Sequence, residues 1–298
     1  MDIVSRRRFL AAGASLGLAA PLRAIEPIDR PKAPLMKLSI AAYSFHRALE
    51  RKKNSAPRMT LEEFIDLAAG WGVTAVELTS YYFASQERDY LLSLKRRCTR
   101  LGLDVSGGAV GNNFCVADPD KLRKEIQLVK DGADAVALLG GKTLRIFGGT
   151  LAKDDTEAAA RPRVVAAIQE ACDHAAKVGV YLALENHGGI TATAEQMLAL
   201  VRAVRHDWFG VNLDTGNFHT ADPYADLSRL APYAVTVQMK AAIQPAGKPK
   251  EPADLPRLFA VLRAAGYRGY VALEYEESED PHSAVPRLLQ TMRDLLRG

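Results

Sequence analysis

The chain alternates short apolar runs with longer amphipathic stretches, and that pattern predicts an α/β fold: a single (β/α)₈ barrel behind a short N-terminal extension. Three observations support this. The 298 residues, 48% of them hydrophobic, match the length of one such barrel and are enough for its core. Eight apolar runs read as buried strands, each followed by a helical pattern. No Gly-x-Gly-x-x-Gly or phosphate-loop sequence follows any strand, which argues against an open nucleotide-binding sheet.

The strands are expected at 37–45, 75–79, 104–110, 143–148, 181–185, 210–214, 235–240 and 270–275. Helices are expected at 61–69, 87–101, 119–131, 157–178, 194–204, 225–230, 255–265 and 284–296. Thr60 with Glu63 three residues on forms a capping box at the first helix. Gly102, Gly179 and Gly266 stand where helices end before the next strand, as a C-cap requires.

The first residues read as an address. Ser5-Arg6-Arg7-Arg8-Phe9-Leu10 precedes an Ala- and Gly-rich apolar run and resembles a twin-arginine export signal. Residues 1–24 are therefore expected to be the signal, 25–36 a Pro-containing linker and 37–298 the barrel. The expected location is the periplasm. The apolar run is shorter than the about 20 residues that span a bilayer, so no stable membrane insertion is expected after export.

The full chain has 39 Lys+Arg against 35 Asp+Glu, a net charge of +4. Removing residues 1–24 takes away Arg6, Arg7, Arg8, Arg23 and Asp2 and leaves +1. So near-neutral a body gives no reason to expect a nucleic-acid partner. Cys98, Cys115 and Cys172 lack metal-type spacing and read as buried thiols.

Chemistry gathers at the ends of the last four strands. Glu185, Asp214, Gln238 and Glu274 close or nearly close them, and in a barrel all four project at the C-terminal mouth. Period-2 alternation puts Ala183 below Glu185 and Ala272 below Glu274, leaving room inside. Three crowded carboxylates stay ionised together only with a cation among them, or when some are protonated. A hard divalent ion with oxygen ligands is one answer; pairing of each acid with a nearby Arg or Lys is the other.

The segments Leu184-Glu-Asn-His-Gly188, Leu213-Asp-Thr-Gly-Asn217, Val237-Gln-Met-Lys240 and Gly266-Tyr-Arg-Gly-Tyr-Val-Ala-Leu-Glu274 resemble the sugar phosphate isomerase/epimerase family of xylose-isomerase-like barrels. The resemblance runs from about Leu38 to the C-terminus and includes Ala75-Val-Glu-Leu78 and the loop from Gly108 to Phe114. It implies metal ligands at Glu185, Asp214 and Glu274, with a fourth from the seventh strand. That fourth position is usually His in a His-x-Lys motif; here it is Gln238. An amide oxygen makes a harder site than imidazole, which favours Mg²⁺ or Mn²⁺ over Co²⁺ or Zn²⁺.

Other positions have two readings each. Lys240 either stabilises a substrate oxyanion or bridges a mouth carboxylate. His187 is either a donor to substrate oxygen or a loop residue. Glu77 and Arg145 form either a substrate clamp or a buried pair. Asn112 either binds sugar hydroxyls or serves its turn.

The resemblance implies a sugar isomerase or epimerase. Glu185 would remove a proton next to a carbonyl, the metal would hold the enediolate, and Glu274 would return a proton. An export signal points to a non-phosphorylated carbohydrate. The alternatives are a lyase on keto-glycosides and a non-catalytic sugar-binding barrel. For assembly, a homodimer stands beside the monomer as an open expectation.

Overall fold

The computed structural model describes residues 25–30, 33–51 and 55–297. The twin-arginine-like start lies outside the described residues. Eight parallel strands close into a barrel. They are β1 (Leu35–Ala41), β2 (Ala75–Thr79), β3 (Asp104–Ala109), β4 (Thr143–Ile146), β5 (Tyr181–Glu185), β6 (Phe209–Asp214), β7 (Ala234–Lys240) and β8 (Arg268–Glu274). Each pairs with its neighbours in sequence, and β1 pairs with β8 to close the ring.

The helices are α1 (Leu61–Gly70), α2 (Arg88–Arg100), α3 (Pro119–Leu139), α4 (Glu157–Val178), α5 (Ala194–Ala203), α6 (Pro223–Leu230), α7 (Leu255–Ala264) and α8 (Pro281–Arg297). Local chemistry sets their ends. Thr60 and Glu63 form the anticipated capping box, and Thr193 with Gln196 forms a second. Gly102, Gly179 and Gly266 take φ of 71°, 74° and 63°, the left-handed region that lets a chain leave a helix. No helix among the described residues is long and apolar enough to cross a membrane. The three cysteines are free and buried.

Two elements differ from expectation by more than three residues at an end. β1 ends at Ala41, and the apolar run continues as a 3₁₀ turn (Ala42–Phe45) and a helical turn (His46–Leu49). The Ser44 hydroxyl fixes this turn by donating to Leu273 O at 3.1 Å and accepting from Tyr275 N at 3.0 Å. α3 runs eight residues past the expected end at 131, through Gly132. That glycine marks close packing, not a stop: a Cβ there would lie 2.6 Å from Val110 Cγ1.

Strand register builds the mouth. Asp214 on β6 lies opposite Gln238 on β7, and Lys240 on β7 lies opposite Glu274 on β8. Arg145 on β4 lies opposite Ala183, two residues below Glu185 on β5. Below these, Ser39 and Ser106 share a 2.8 Å hydroxyl contact inside the barrel.

Candidate active site

Strand ends β2 and β4 to β8 bring seven polar side chains into one buried cluster. Glu77, Arg145, Glu185, Asp214, Gln238, Lys240 and Glu274 are each no more than 7% exposed. Burying this much charge is costly unless it is paired and hydrogen-bonded. The cluster divides into three connected groups.

The first is centred on Glu185. Its Oε2 lies 2.9 Å from Arg145 Nε, and its Oε1 accepts from Asn217 Nδ2 at 2.9 Å. The Arg145 guanidinium also donates to Val110 O at 2.9 Å and to the Tyr81 hydroxyl at 3.3 Å, and lies 3.9 Å from the centre of the Phe147 ring. Burial pushes the Glu185 carboxyl well above the usual range, against the pull of Arg145. Burial also opposes the Arg145 charge, but Glu185 leads the charges that hold its pKa above the ordinary value.

The second is centred on Lys240. Its Nζ lies 2.6 Å from Glu274 Oε2, 2.8 Å from Glu276 Oε1 and 3.4 Å from Asp214 Oδ2. Burial works against the ammonium, but Asp214, Glu274 and Glu276 outweigh it and hold its pKa well above the ordinary lysine value. Asp214 Oδ1 accepts from Gly216 N at 2.8 Å; its Oδ2 is buried with no hydrogen bond. Burial pushes the Asp214 carboxyl up to about 7, while Lys240 pulls it back.

The third is a chain of amides. Asn212 Nδ2 donates to Gln238 Oε1 at 2.6 Å, and Gln238 Nε2 donates to Glu77 Oε1 at 2.8 Å. Burial, then the Glu274 charge, raise the Glu77 carboxyl to about 7; the hydrogen bond from Gln238 offsets part of this.

The four residues expected as metal ligands thus share one mouth, but as placed they do not fit a divalent ion. Among the described residues no group of three or more His, Cys, Asp or Glu is set to hold one. The donor chemistry gives the reason. An ammonium stands among Asp214, Glu274 and Glu276, a guanidinium occupies Glu185, and the Gln238 oxygen is taken by Asn212.

The remaining sequence-level residues separate clearly. His187 stands at the rim, with its ring 4.3 Å from that of Phe147; desolvation, Arg145 and Lys240 hold its pKa below the usual imidazole value. Lys240 does bridge mouth carboxylates. Glu77 and Arg145 do not pair with each other: Glu77 meets Gln238, and Arg145 meets Glu185. Asn112, also read as a sugar ligand, is a backbone clamp. Its Nδ2 donates to Phe147 O at 2.8 Å and its Oδ1 accepts from Phe147 N at 3.0 Å, so both amide ends engage the backbone.

Sequence reading missed four contributors. Glu276 lies two residues past Glu274 and reaches the same ammonium; the period-2 pattern could have flagged it. Asn217 sits inside the Leu213–Asn217 motif and holds Glu185. Asn186 donates to Asp214 O at 2.8 Å and accepts from Asp214 N at 3.0 Å, locking the ends of β5 and β6 together. Tyr81, on the turn after β2, had no sequence signal.

A closed parallel barrel with buried acids and cations at its C-terminal mouth defines a barrel enzyme scaffold of the kind whose active sites occupy that face. The family model described as "Xylose isomerase-like TIM barrel" matches residues 65–295, and the chain belongs to that family. No curated protein matches the chain at a significant level. Among solved structures, a D-psicose 3-epimerase determined in the presence of D-fructose is similar at 17% identity and a TM-score of 0.73, covering 88% of this chain and 100% of the other. An L-ribulose 3-epimerase is similar at 19% identity and a TM-score of 0.71, over 88% and 95%. A 3-keto-D-glucoside 4-epimerase from E. coli, in its apo form, is similar at 16% identity and a TM-score of 0.69, over 87% and 99%. At these identities the likeness establishes the fold.

Proposed function

We propose that this protein is a sugar epimerase or isomerase that moves a proton on the carbon next to a carbonyl, through an enediolate. One observation carries the reading: two buried glutamates, Glu185 and Glu274, end strands at the same mouth, each in contact with a buried cation. Glu185 removes the carbon-bound proton, since burial gives its carboxyl the raised pKa a general base needs. Glu274 relays a proton from the Lys240 ammonium, 2.6 Å from its Oε2, to the opposite face for epimerisation or to the adjacent carbon for isomerisation; solvent then recharges the lysine as Glu185 releases its proton. Arg145 and Lys240 face the developing oxyanion and stabilise it. His187 at the rim, with its pKa held down, offers a neutral imidazole to a substrate hydroxyl.

The substrate class is a non-phosphorylated sugar. The twin-arginine-like start supports export to the periplasm and therefore a substrate met outside the cytoplasm. The similar 3-keto-D-glucoside 4-epimerase makes a keto-glycoside a second substrate to test, and the acidic α-proton of such a substrate would also permit elimination of its leaving group at the same two glutamates. Proton NMR in D₂O with neutral keto- and aldo-sugars and keto-glycosides tests both. Epimerase or isomerase action places solvent deuterium on an α-carbon; elimination releases the aglycone. Binding of a sugar with neither outcome would leave a non-catalytic barrel and defeat the proposal.

A further inference from the structure

We propose that the Lys240 ammonium takes the place of a divalent metal at this mouth, so that the site is centred on a side-chain cation and holds no resident metal ion. Its catalytic meaning rests on the epimerase reading above; its metal content does not.

Three features point the same way. Lys240 is 7% exposed, and its Nζ contacts Glu274 and Glu276 at 2.6 and 2.8 Å, with Asp214 Oδ2 at 3.4 Å. Two of the acids that would ligate an ion therefore already neutralise this ammonium. An ion placed among them would meet a like charge in a low-dielectric interior, where repulsion is poorly screened.

Gln238 is the second feature. A metal-ligating amide must turn its oxygen to the ion. Here Oε1 accepts from Asn212 and Nε2 donates to Glu77. Turning it away would strip partners from Asn212 and Glu77 together. Asn212 Oδ1 is already buried without a partner, so the loss would fall on a residue with nothing in reserve.

Glu185 is the third. Both its oxygens are engaged, one by Arg145 and one by Asn217. The cations at this mouth thus come from the chain itself.

The ammonium also has capacity left for chemistry. It has three protons, and the close contacts to Glu274 and Glu276 account for two. Asp214 Oδ2 makes no hydrogen bond. The third proton is therefore free to donate to an enediolate oxygen, as a Lewis acid would accept its electron pair.

The test uses the full chain. Metal content of the purified protein is measured by plasma mass spectrometry, and Mn²⁺ binding by titration with spin-resonance detection. The wild type is expected to carry substoichiometric metal. Lys240→Met, which leaves the acids without their cation, is expected to bind Mn²⁺ ~tenfold or more tightly than the wild type. One equivalent of tightly held divalent metal in the wild type would overturn the proposal, as would equal Mn²⁺ affinity in the two proteins. If the variant does not fold, wild-type metal content decides alone. Where a sugar shows deuterium exchange, its persistence after chelation supports the proposal, and loss restored by Mn²⁺ overturns it. If no sugar exchanges, the epimerase reading fails while the metal measurement still decides this one.

Discussion

The Gln238 amide on β7 reaches across the barrel interior and donates to Glu77 Oε1 on β2 at 2.8 Å. This bond is the partner that the buried Glu77 retains, yet burial still lifts its carboxyl to about 7. The folded chain therefore keeps a proton that the unfolded chain releases from about pH 4.5 upward. Stability from this group is fully present below the ordinary value and is lost as pH rises to about 7. Glu77→Gln is neutral and still offers Gln238 an acceptor. In urea denaturation the variant is expected to gain on the wild type by on the order of 2–3 kcal/mol as pH rises from about 5 to about 8. Parallel pH profiles for the two proteins would show that Glu77 does not titrate in that window.

Arg145 is the charged partner of Glu185, at 2.9 Å with both side chains buried. Arg145→Met leaves that carboxylate uncompensated, and removal of one member of a buried pair costs about 3–5 kcal/mol. The loss has a second signature. Without the guanidinium the Glu185 carboxyl rises further, so the acid limb of the kcat/KM profile moves to higher pH. Arg145→Lys keeps the charge but cannot reach Glu185, Val110 O and Tyr81 with one planar fork, and an intermediate effect is expected. An unmoved acid limb in Arg145→Met would rule out Glu185 as the base it reports.

Glu185→Gln and Glu274→Gln keep shape while removing the proton-transfer group. Each is expected to lower kcat by about 10²–10⁴-fold with circular dichroism unchanged. The two should differ in what remains. If Glu185 is the base, its variant loses deuterium wash-in altogether. Glu274→Gln still permits abstraction, so substrate recovered from it carries deuterium ahead of product formation. Undiminished turnover in Glu185→Gln would remove it from the mechanism.

Much of the barrel was legible because its strands are short apolar runs punctuated by capping residues, and both signals are local. β2 and β5 fall where alternation places them, and α1 begins at the Thr60–Glu63 box. α3 runs past its expected end at 131 through Gly132, and a glycine that ends a helix and one that lets a helix approach Val110 look alike in sequence. At the mouth, periodicity and motif order brought Glu185, Asp214, Gln238 and Glu274 to one place. The Lys240 bridge was legible only as one of two readings, and the partners of Glu185 and Gln238 were not. Whether Lys240 neutralises Glu274 depends on the register of β7 against β8, and whether Gln238 turns to Glu77 depends on the opposite wall of the barrel. Such contacts are set by closure of the ring, which no local pattern encodes.

Gly216 gives a way to move Lys240 without changing it. A Cβ at Gly216 would lie 2.6 Å from Lys240 Cγ, 2.8 Å from its Cβ and 3.0 Å from Ala242 O. Neither the backbone oxygen nor Lys240 Cβ, which is fixed by its backbone, can yield cheaply, so the turn at Gly216 and the end of β7 have to move apart, carrying Nζ away from Glu274 and Asp214. Overpacking of this kind costs about 1–3 kcal/mol in stability. Gly216→Ala is therefore expected to lower kcat ~tenfold or more while the chain still folds, with KM changed less than kcat because the oxyanion contact matters most in the transition state. Gly70→Ala is the control, since a Cβ there meets nothing within 4 Å and alanine favours a helix end over glycine. Equal turnover in the two alanine variants would separate Lys240 from catalysis, because Lys240 is the side chain that the new Cβ presses on most closely.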